Sequence, residues 1–596
     1  MELTVETGEG RPAKEPAPPR FKGDFDELID LVGPFGRFQW RLFLLMQPPF
    51  VFLAFTYFSQ IWLVLEPDHW CRVPALQARG WSDLAARNLT APLEQNGGVL
   101  RHSRCYMYDV NFTDVDPASW APDNETAVVP CRHGWSYDFS EIYPTIVSDN
   151  DWVCDSAWKP TLAYTMFFAG SMVGTIVFSY VADKFGRLPS LVLANLTCCL
   201  AGFATAFSTS LPMFAVLRFI VGMGNNLQCT QAIVLLSEFV GPRYRAMVVN
   251  LPLATSLCGA MVVLPWMAKL LYHWTYLAMA SSLPMSFVLL YYVFHVPESC
   301  RWLQHVGQIE RAVQEMRDIA LENGKQVPDD TWDSFTVAAK QRHEGELTQS
   351  HPTLLDMLRL PRLRSRMLTL TIGTMLVALQ FDLIARSTEL DVDVYTAQSV
   401  LGLTEAPADL LTWLLLETLG RRWTMTGSLL ATSGLALTLA ALLRRGDLAV
   451  ASTCVAFLCR CGATIAYNVI VQQQMELVPT VIRGRAVGAA FVAGHFSAAF
   501  SPAVLQLARL DRGLPSFVLA TVALLGACVL SMLPETMNRP LPDTLEQGER
   551  FGREQRFWQC FWHNPWRRRP AESDRKGHEN AALEADEQQR TENADM

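Results

Sequence analysis

Apolar residues along this chain gather into runs of about twenty, parted by short polar connections. A helix rises about 1.5 Å per residue, so such a run crosses a hydrocarbon layer of about 30 Å. The runs begin near Leu42, Thr161, Leu188, Leu211, Ala246, Thr275, Met367, Val394, Trp423, Leu448, Ala486 and Leu514. Lipid offers no partner to a bare amide, so each run must satisfy its backbone within its own helix. The pattern predicts an all-α membrane protein with twelve transmembrane helices.

Composition agrees. Half of the 596 residues are hydrophobic and 18% are charged, against about 25% in soluble domains. The first forty residues are polar, with "RPAKEPAPPR" reading as disordered, and no cleavable leader is expected. The first span then serves as its own signal.

Lys and Arg crowd alternate short connections: "DKFGR", "GPRYR", "LGRR" and "VIRGR". The positive-inside bias makes these cytoplasmic, with both termini inside; Arg444, Arg445, Arg509 and Arg512 run against it. The expected organisation is a tail (1–41), a six-helix half (42–296), a central cytoplasmic loop (297–366), a second half (367–535) and a tail (536–596). Within the first half, 65–159 is expected outside. That segment carries sequons at Asn88, Asn111 and Asn124, and four cysteines, Cys71, Cys105, Cys131 and Cys154. Four cysteines there predict two disulfides, with three connectivities open. Asn195-Leu-Thr falls inside a span and should be silent.

The charged ends repeat. Asp183-Lys-Phe-Gly-Arg187 lines up with Glu417-Thr-Leu-Gly-Arg421, Glu238 with Glu476, and Pro297-Glu298-Ser299 with Pro534-Glu535-Thr536, at offsets of 234, 238 and 237. Three matches in one order make the chain two related halves of six spans, an architecture of transporters whose halves rock about a central site. The recurring charges predict a breakable cytoplasmic gate: Asp183, Arg187, Glu238, Arg245, Glu298 and Arg301, then Glu417, Arg421, Glu476, Arg483 and Glu535. Each wet pair is worth about 1 kcal/mol or less, so several together can set a two-state balance. Topology signals alone would explain the arginines but not the acids.

From Phe35 to about Thr544 the chain resembles the organic ion transporter family of the major facilitator superfamily, its motifs closest to the organic cation and carnitine carriers. The resemblance rests on "FGRFQ", "PDHWC", "GWSYD", "DWVCD", "DKFGR", "RFIVGMG", "SEFVGPRYR", "PESCRWL", "ELVPTVIRGRAVG" and "LPET". Ser179, Leu188 and Cys300 depart from the usual pattern. The resemblance implies a carrier of small organic cations, anions or zwitterions working by alternating access.

An ionisable group inside a span is costly unless it faces a cavity or a partner, so each is a site candidate. Arg218 and Arg460 resemble family basic positions; fixed ion pairs are the alternative. Asp382 and Arg386 are four apart, share a helical face and can pair with each other. Glu405 and Asp409 also share a face, and Glu405 matches a glutamate that the family's cation carriers use near substrate. His495 falls where those carriers have Asp and the anion and zwitterion carriers have Arg. It is expected to line the cavity and make transport pH-sensitive; a histidine bonded to a neighbouring helix is the alternative. Gln380 and Gln398 stand at family aromatic positions, and Gln473 lies in a glutamine run, which favours a hydrogen-bonding cavity for a polar amine or zwitterion.

The tail stretch "RFWQCFWHNPWRRR" reads as an interfacial anchor on anionic lipid, with Cys560 a palmitoylation candidate. No nucleotide loop, metal cluster or nucleophile–histidine pairing is present in the sequence. The reading is therefore a plasma-membrane carrier, not an enzyme, with no cofactor, no metal and no nucleic-acid partner. Its oligomeric state is left open. An organic anion carrier, or a non-transporting receptor or scaffold on the same fold, is the alternative.

Overall fold

The computed structural model describes residues 25–96, 99–112, 120, 122, 126–348, 353–386, 393–445, 448–537, 542, 544–553 and 555. Eleven helices are long and apolar enough to cross a membrane, and a shorter apolar helix, Leu514–Leu530, completes the set. In chain order the spans are Arg37–Leu63, Cys154–Phe185, Arg187–Thr205, Leu211–Glu238, Met247–Leu271 and Trp274–Val293. The second half comprises Pro361–Ala385, Val394–Thr418, Arg421–Arg445, Val450–Leu477, Arg483–Ala508 and Leu514–Leu530. They are called the first to twelfth spans below.

Close approach of backbones holds the first half together. A Cβ built on Gly170 would lie 1.9 Å from Phe219 O, and one on Gly174 would lie 1.9 Å from Met223 O. The second and fourth spans therefore touch through glycine, and Ser171 Oγ donates to Gly222 O at 3.1 Å across the seam. Lipid supplies no hydrophobic drive between helices, so small residues and interhelical hydrogen bonds carry this packing. The fifth span passes through a π turn, Leu253–Leu257, directly after Pro252, whose missing N–H breaks the regular ladder.

At one end of the bundle a small domain is tied by disulfides between Cys71 and Cys131 and between Cys105 and Cys154. It contains three antiparallel strand pairs, among them Asp68–Cys71 against Trp135–Asp138. Asn88 and Asn111 are exposed on it, whereas Asn124 lies outside the described residues. Asn195 is buried and its amide donates to Leu191 O.

The opposite end carries the repeated charged motifs. Here the segment read as a polar tail contains a short amphipathic helix, Phe25–Val32. Its Phe25, Leu28, Ile29 and Val32 pack with Met316 and Ile319 of the helix Ile309–Glu322. Asn323 pins the junction: its Oδ1 accepts from Phe38 N at 3.0 Å and its Nδ2 donates to Val32 O at 3.2 Å. The tail stretch from Arg556 to Arg569, with Cys560, lies outside the described residues.

Candidate functional site

The repeated motifs build the same device twice. Gly186 ends the second span with φ +112°, and the third span begins at Arg187. Its first amides, Arg187 N and Leu188 N, donate to the Glu298 carboxylate at 2.8 and 3.2 Å. A Cβ on Gly186 would fall 2.2 Å from Glu298 Oε2, so any other residue would displace the cap. In the second half Gly420 has φ +83°, Arg421 N and Arg422 N donate to Glu535 at 2.9 and 3.0 Å, and a Cβ would lie 2.7 Å from Glu535 Oε2. The unpaired amides of a helix start carry partial positive charge, which a carboxylate answers well. Burial nevertheless pushes the Glu298 carboxyl above its ordinary range.

Around these caps the arginines are held within each half. Arg421 makes a two-oxygen pair with Glu476, its Nε 3.2 Å from each oxygen. Gln472 and Thr536 also donate to Glu476. In the first half the equivalent Arg187 turns to Asp183 at 2.8 Å. Glu238 keeps a buried Oε2 without a hydrogen-bond partner, in the field of Arg187, Arg301 and Arg245. Arg245 and Arg301 both reach Asp26 of the amphipathic helix instead, Arg245 at 2.5 Å. Glu417 is half-buried nearby, and Arg483 Nε donates to Val478 O at 3.1 Å.

The contacts that join the two halves lie from mid-depth toward the disulfide end. Trp62 stacks on Tyr395 with centroids 5.1 Å apart, and Lys269 Nζ lies 5.0 Å above the same tyrosine. Gln506 Nε2 of the eleventh span donates to Ala157 O and Thr161 Oγ1 at the start of the second. Ser399 Oγ donates to Val262 O at 3.2 Å, and Cys258 Sγ to Gly402 O at 3.5 Å. The bundle is thus captured closed at the disulfide end.

Just below that closure sits a buried charge cluster. Asp382 and Arg386 of the seventh span pair at 2.7 Å. Tyr57 of the first span donates to Asp382 Oδ1 at 2.5 Å, and Ser501 of the eleventh donates to Oδ2. The Arg386 guanidinium lies 4.4 Å over the Tyr164 ring and 5.5 Å over Phe168. The pair foreseen on one helix face is therefore also a bridge between halves.

At mid-depth a second set faces the interface. His495 is half-buried, stacks near Phe168 at 6.4 Å and makes a short hydrogen bond with Asn226 of the fourth span. Arg460 makes a short pair with Glu405 and stacks 4.0 Å over Phe381. Asp409 is half-buried, accepts from Asn468 Nδ2 at 2.6 Å and joins no ion pair among the described residues.

The remaining candidates are scattered. Arg218 is buried inside the first half and donates to Thr205 Oγ1 at 2.7 Å. Gln380 and Gln398 lie near the disulfide end of their spans and Gln473 near the motif end of its own. The Gln380 and Gln473 amides are buried without hydrogen-bond partners. Tyr57, Tyr164, Asn226, Asn468 and Ser501 are members that sequence reasoning passed over. The two asparagines carried a readable signal, polar amides in uncharged runs; the tyrosines and the serine did not.

Known proteins resemble most of the chain. The family described as "Sugar (and other) transporter" matches residues 132–546. Human "Organic cation/carnitine transporter 2" is 30% identical over 88% of this chain and 94% of its own. The "Beta-alanine transporter" of Drosophila melanogaster is 31% identical over 88% of this chain and 89% of its own. Among solved structures, a partially occluded inward open form of the E. coli xylose transporter XylE superposes with a TM-score of 0.53, at 14% identity over 84% of this chain and 99% of that one.

Proposed function

From the premise that this chain belongs to the sugar (and other) transporter family of the major facilitator superfamily, and within it resembles the organic ion carriers of solute carrier family 22, we propose that it carries small organic cations or zwitterions through the site between its halves. It is a multi-pass membrane transporter of small organic ions, not an enzyme.

Asp409 carries the choice of charge. Arg386 and Arg460, which could hold an anion, each already pair with a carboxylate of their own half. Arg218 stands away from the interface. Asp409 is the acid left over, so this set of groups sums to one negative charge. A substrate ammonium near Asp409, with Glu405 and Asn468 beside it, meets that charge. The Gln380, Gln398 and Gln473 amides are further candidates for polar contact, and His495 beside Asn226 is the candidate for pH sensitivity. Relatives named for carnitine and for beta-alanine are in keeping with a zwitterion.

In mechanism, the site exchanges substrate with the motif end while the disulfide end is shut, and with the disulfide end once the halves have rocked. The Asp382–Tyr57 bridge and the Trp62–Tyr395 stack then break as the halves rock, while Asp183, Arg187, Glu238, Arg245, Arg301, Glu417, Arg421, Glu476 and Arg483 re-pair beneath, with Glu298 and Glu535 holding the caps. We place the disulfide domain outside the cell, with Asn88, Asn111 and Asn124 glycosylated, and both termini in the cytoplasm of a plasma-membrane protein.

Asp409→Asn tests the charge assignment: uptake of a cation should fall at least about tenfold, the loss of one charge-assisted contact. Unchanged cation uptake in that variant would reject it. His495→Gln should flatten the pH profile of uptake, and an unaltered profile removes His495 from the proposal.

A further inference from the structure

We propose that the first six-helix half holds an internal site for a small inorganic monovalent anion of chloride size, built around Arg218. This holds whichever organic ion the carrier moves.

The first observation is a cation without an acid. The Arg218 side chain is 3% exposed, and its one hydrogen bond among the described residues goes to the neutral Thr205 hydroxyl. Its Nε–H is buried with no partner, and it joins no ion pair among the described residues. The titratable groups in its field are Cys198 and Tyr164, both neutral at physiological pH. The Phe214 ring, 5.7 Å from Cζ, offers a weak π contact alone.

The second half shows what is missing. Glu238 and Glu476 set an offset of 238, which puts Arg218 opposite position 456, one helical turn from Arg460. Arg460 is equally buried but has the Glu405 carboxylate. A buried charge normally requires such a partner. Arg218 has none among the described residues.

The third observation is space. A small internal cavity lies against Arg218, lined by Thr56, Ser59, Cys198, Ser281 and Ser282 of the first, third and sixth spans. The Ser59 and Ser282 side chains are buried, and their hydroxyls make no hydrogen bond among the described residues, so both can donate into the cavity. The room suits one occupant of about the size of a water. A water would satisfy the donors but leave the charge bare. An organic carboxylate, sulfate or phosphate is too large. A halide, the smallest class of monovalent anion, meets the charge and the donors, and would brace the first, third, fourth and sixth spans into one rigid half.

The test uses purified full-length protein in lipid nanodiscs, with thermal unfolding followed in sodium chloride, bromide and gluconate at equal ionic strength. A ligand that binds the folded state raises Tm saturably. Chloride and bromide should do so and gluconate should not. Ser59→Ala and Ser282→Ala should each move the half-saturating chloride concentration upward by about tenfold, the effect of one lost hydrogen bond to an ion. Arg218→Gln should abolish the response. If that variant does not fold, the serine variants decide. A wild-type Tm indifferent to halide overturns the proposal, and so does a wild-type halide response in both serine variants. Neither readout depends on the transported substrate.

Discussion

Tyr57→Phe removes one hydroxyl and nothing else. In the structure that hydroxyl spans the two halves, donating to Asp382 Oδ1 at 2.5 Å, while the ring stays against Arg386 at 5.4 Å. Asp382 has no exposed surface. A hydrogen bond to a charged group is worth about 1.5–3 kcal/mol when its partner is left buried and short of a donor. When the disulfide end opens, water can take the hydroxyl's place, so the loss falls on the closed form alone. At about 1.4 kcal/mol per decade, the closed population should fall about tenfold to a hundredfold relative to the open one. Single-molecule energy transfer between dyes on unnatural residues at positions 64 and 393, at the disulfide ends of the first and eighth spans, reads that ratio directly. Transport should slow as well, since one half of the cycle becomes rarer. Indistinguishable distance populations in Tyr57→Phe and wild type would refute the reasoning that this contact latches the halves.

Other outcomes follow from particular contacts. Gly174→Ala puts a methyl 1.9 Å from Met223 O, so the second and fourth spans must part; a loss of about 1–3 kcal/mol should show as lower surface expression and a lower Tm. Cys71→Ser, which breaks the bond to Cys131, should destabilise the disulfide domain by about 2–5 kcal/mol, read by protease sensitivity of intact cells. For Glu298 the folded carboxyl titrates above its ordinary value, so its ionisation costs stability that is lost as pH rises through the raised value and regained below the ordinary one. Glu298→Gln should therefore flatten the Tm-versus-pH curve in that window while weakening the cap on the third span.

The twelve-helix fold was open to reading because its signals are long and redundant. An apolar run of twenty residues has few soluble explanations, and three motifs recurring in one order at offsets of 234 to 238 mark a duplication. The structure adds the reason for the motif's glycine: at Gly186 and Gly420 a carboxylate from the far end of the same half occupies the Cβ position. The partners of the gate charges were much harder to see. Arg245 and Arg301 meet Asp26, an acid on an eight-residue helix inside a segment that composition alone reads as a tail. Its apolar stripe, Phe25, Leu28, Ile29 and Val32, is the signal that composition averages away.

Depth and direction inside the bundle were the other limit. A span that is apolar all round carries little periodicity, so sequence cannot say which face meets the opposite half and which meets its own. Arg218 and Arg460 look alike along the chain, yet one ends beside a carboxylate at the interface and the other in a cavity within its half. Asp382 and Arg386 were visible as a pair by their spacing. That Tyr57 and Ser501 also converge on Asp382 depends on how the halves close, which no single helix records.

The central claim is that the groups between the halves favour a positively charged or zwitterionic substrate. Uptake in cells displaying the protein at their surface tests it most directly, with a small organic cation, a carnitine-like zwitterion and an organic carboxylate as labelled tracers. The account predicts saturable uptake of the cation or the zwitterion, lost in Asp409→Asn. Saturable uptake of the carboxylate alone, or no uptake of any of the three with surface display confirmed, would contradict it.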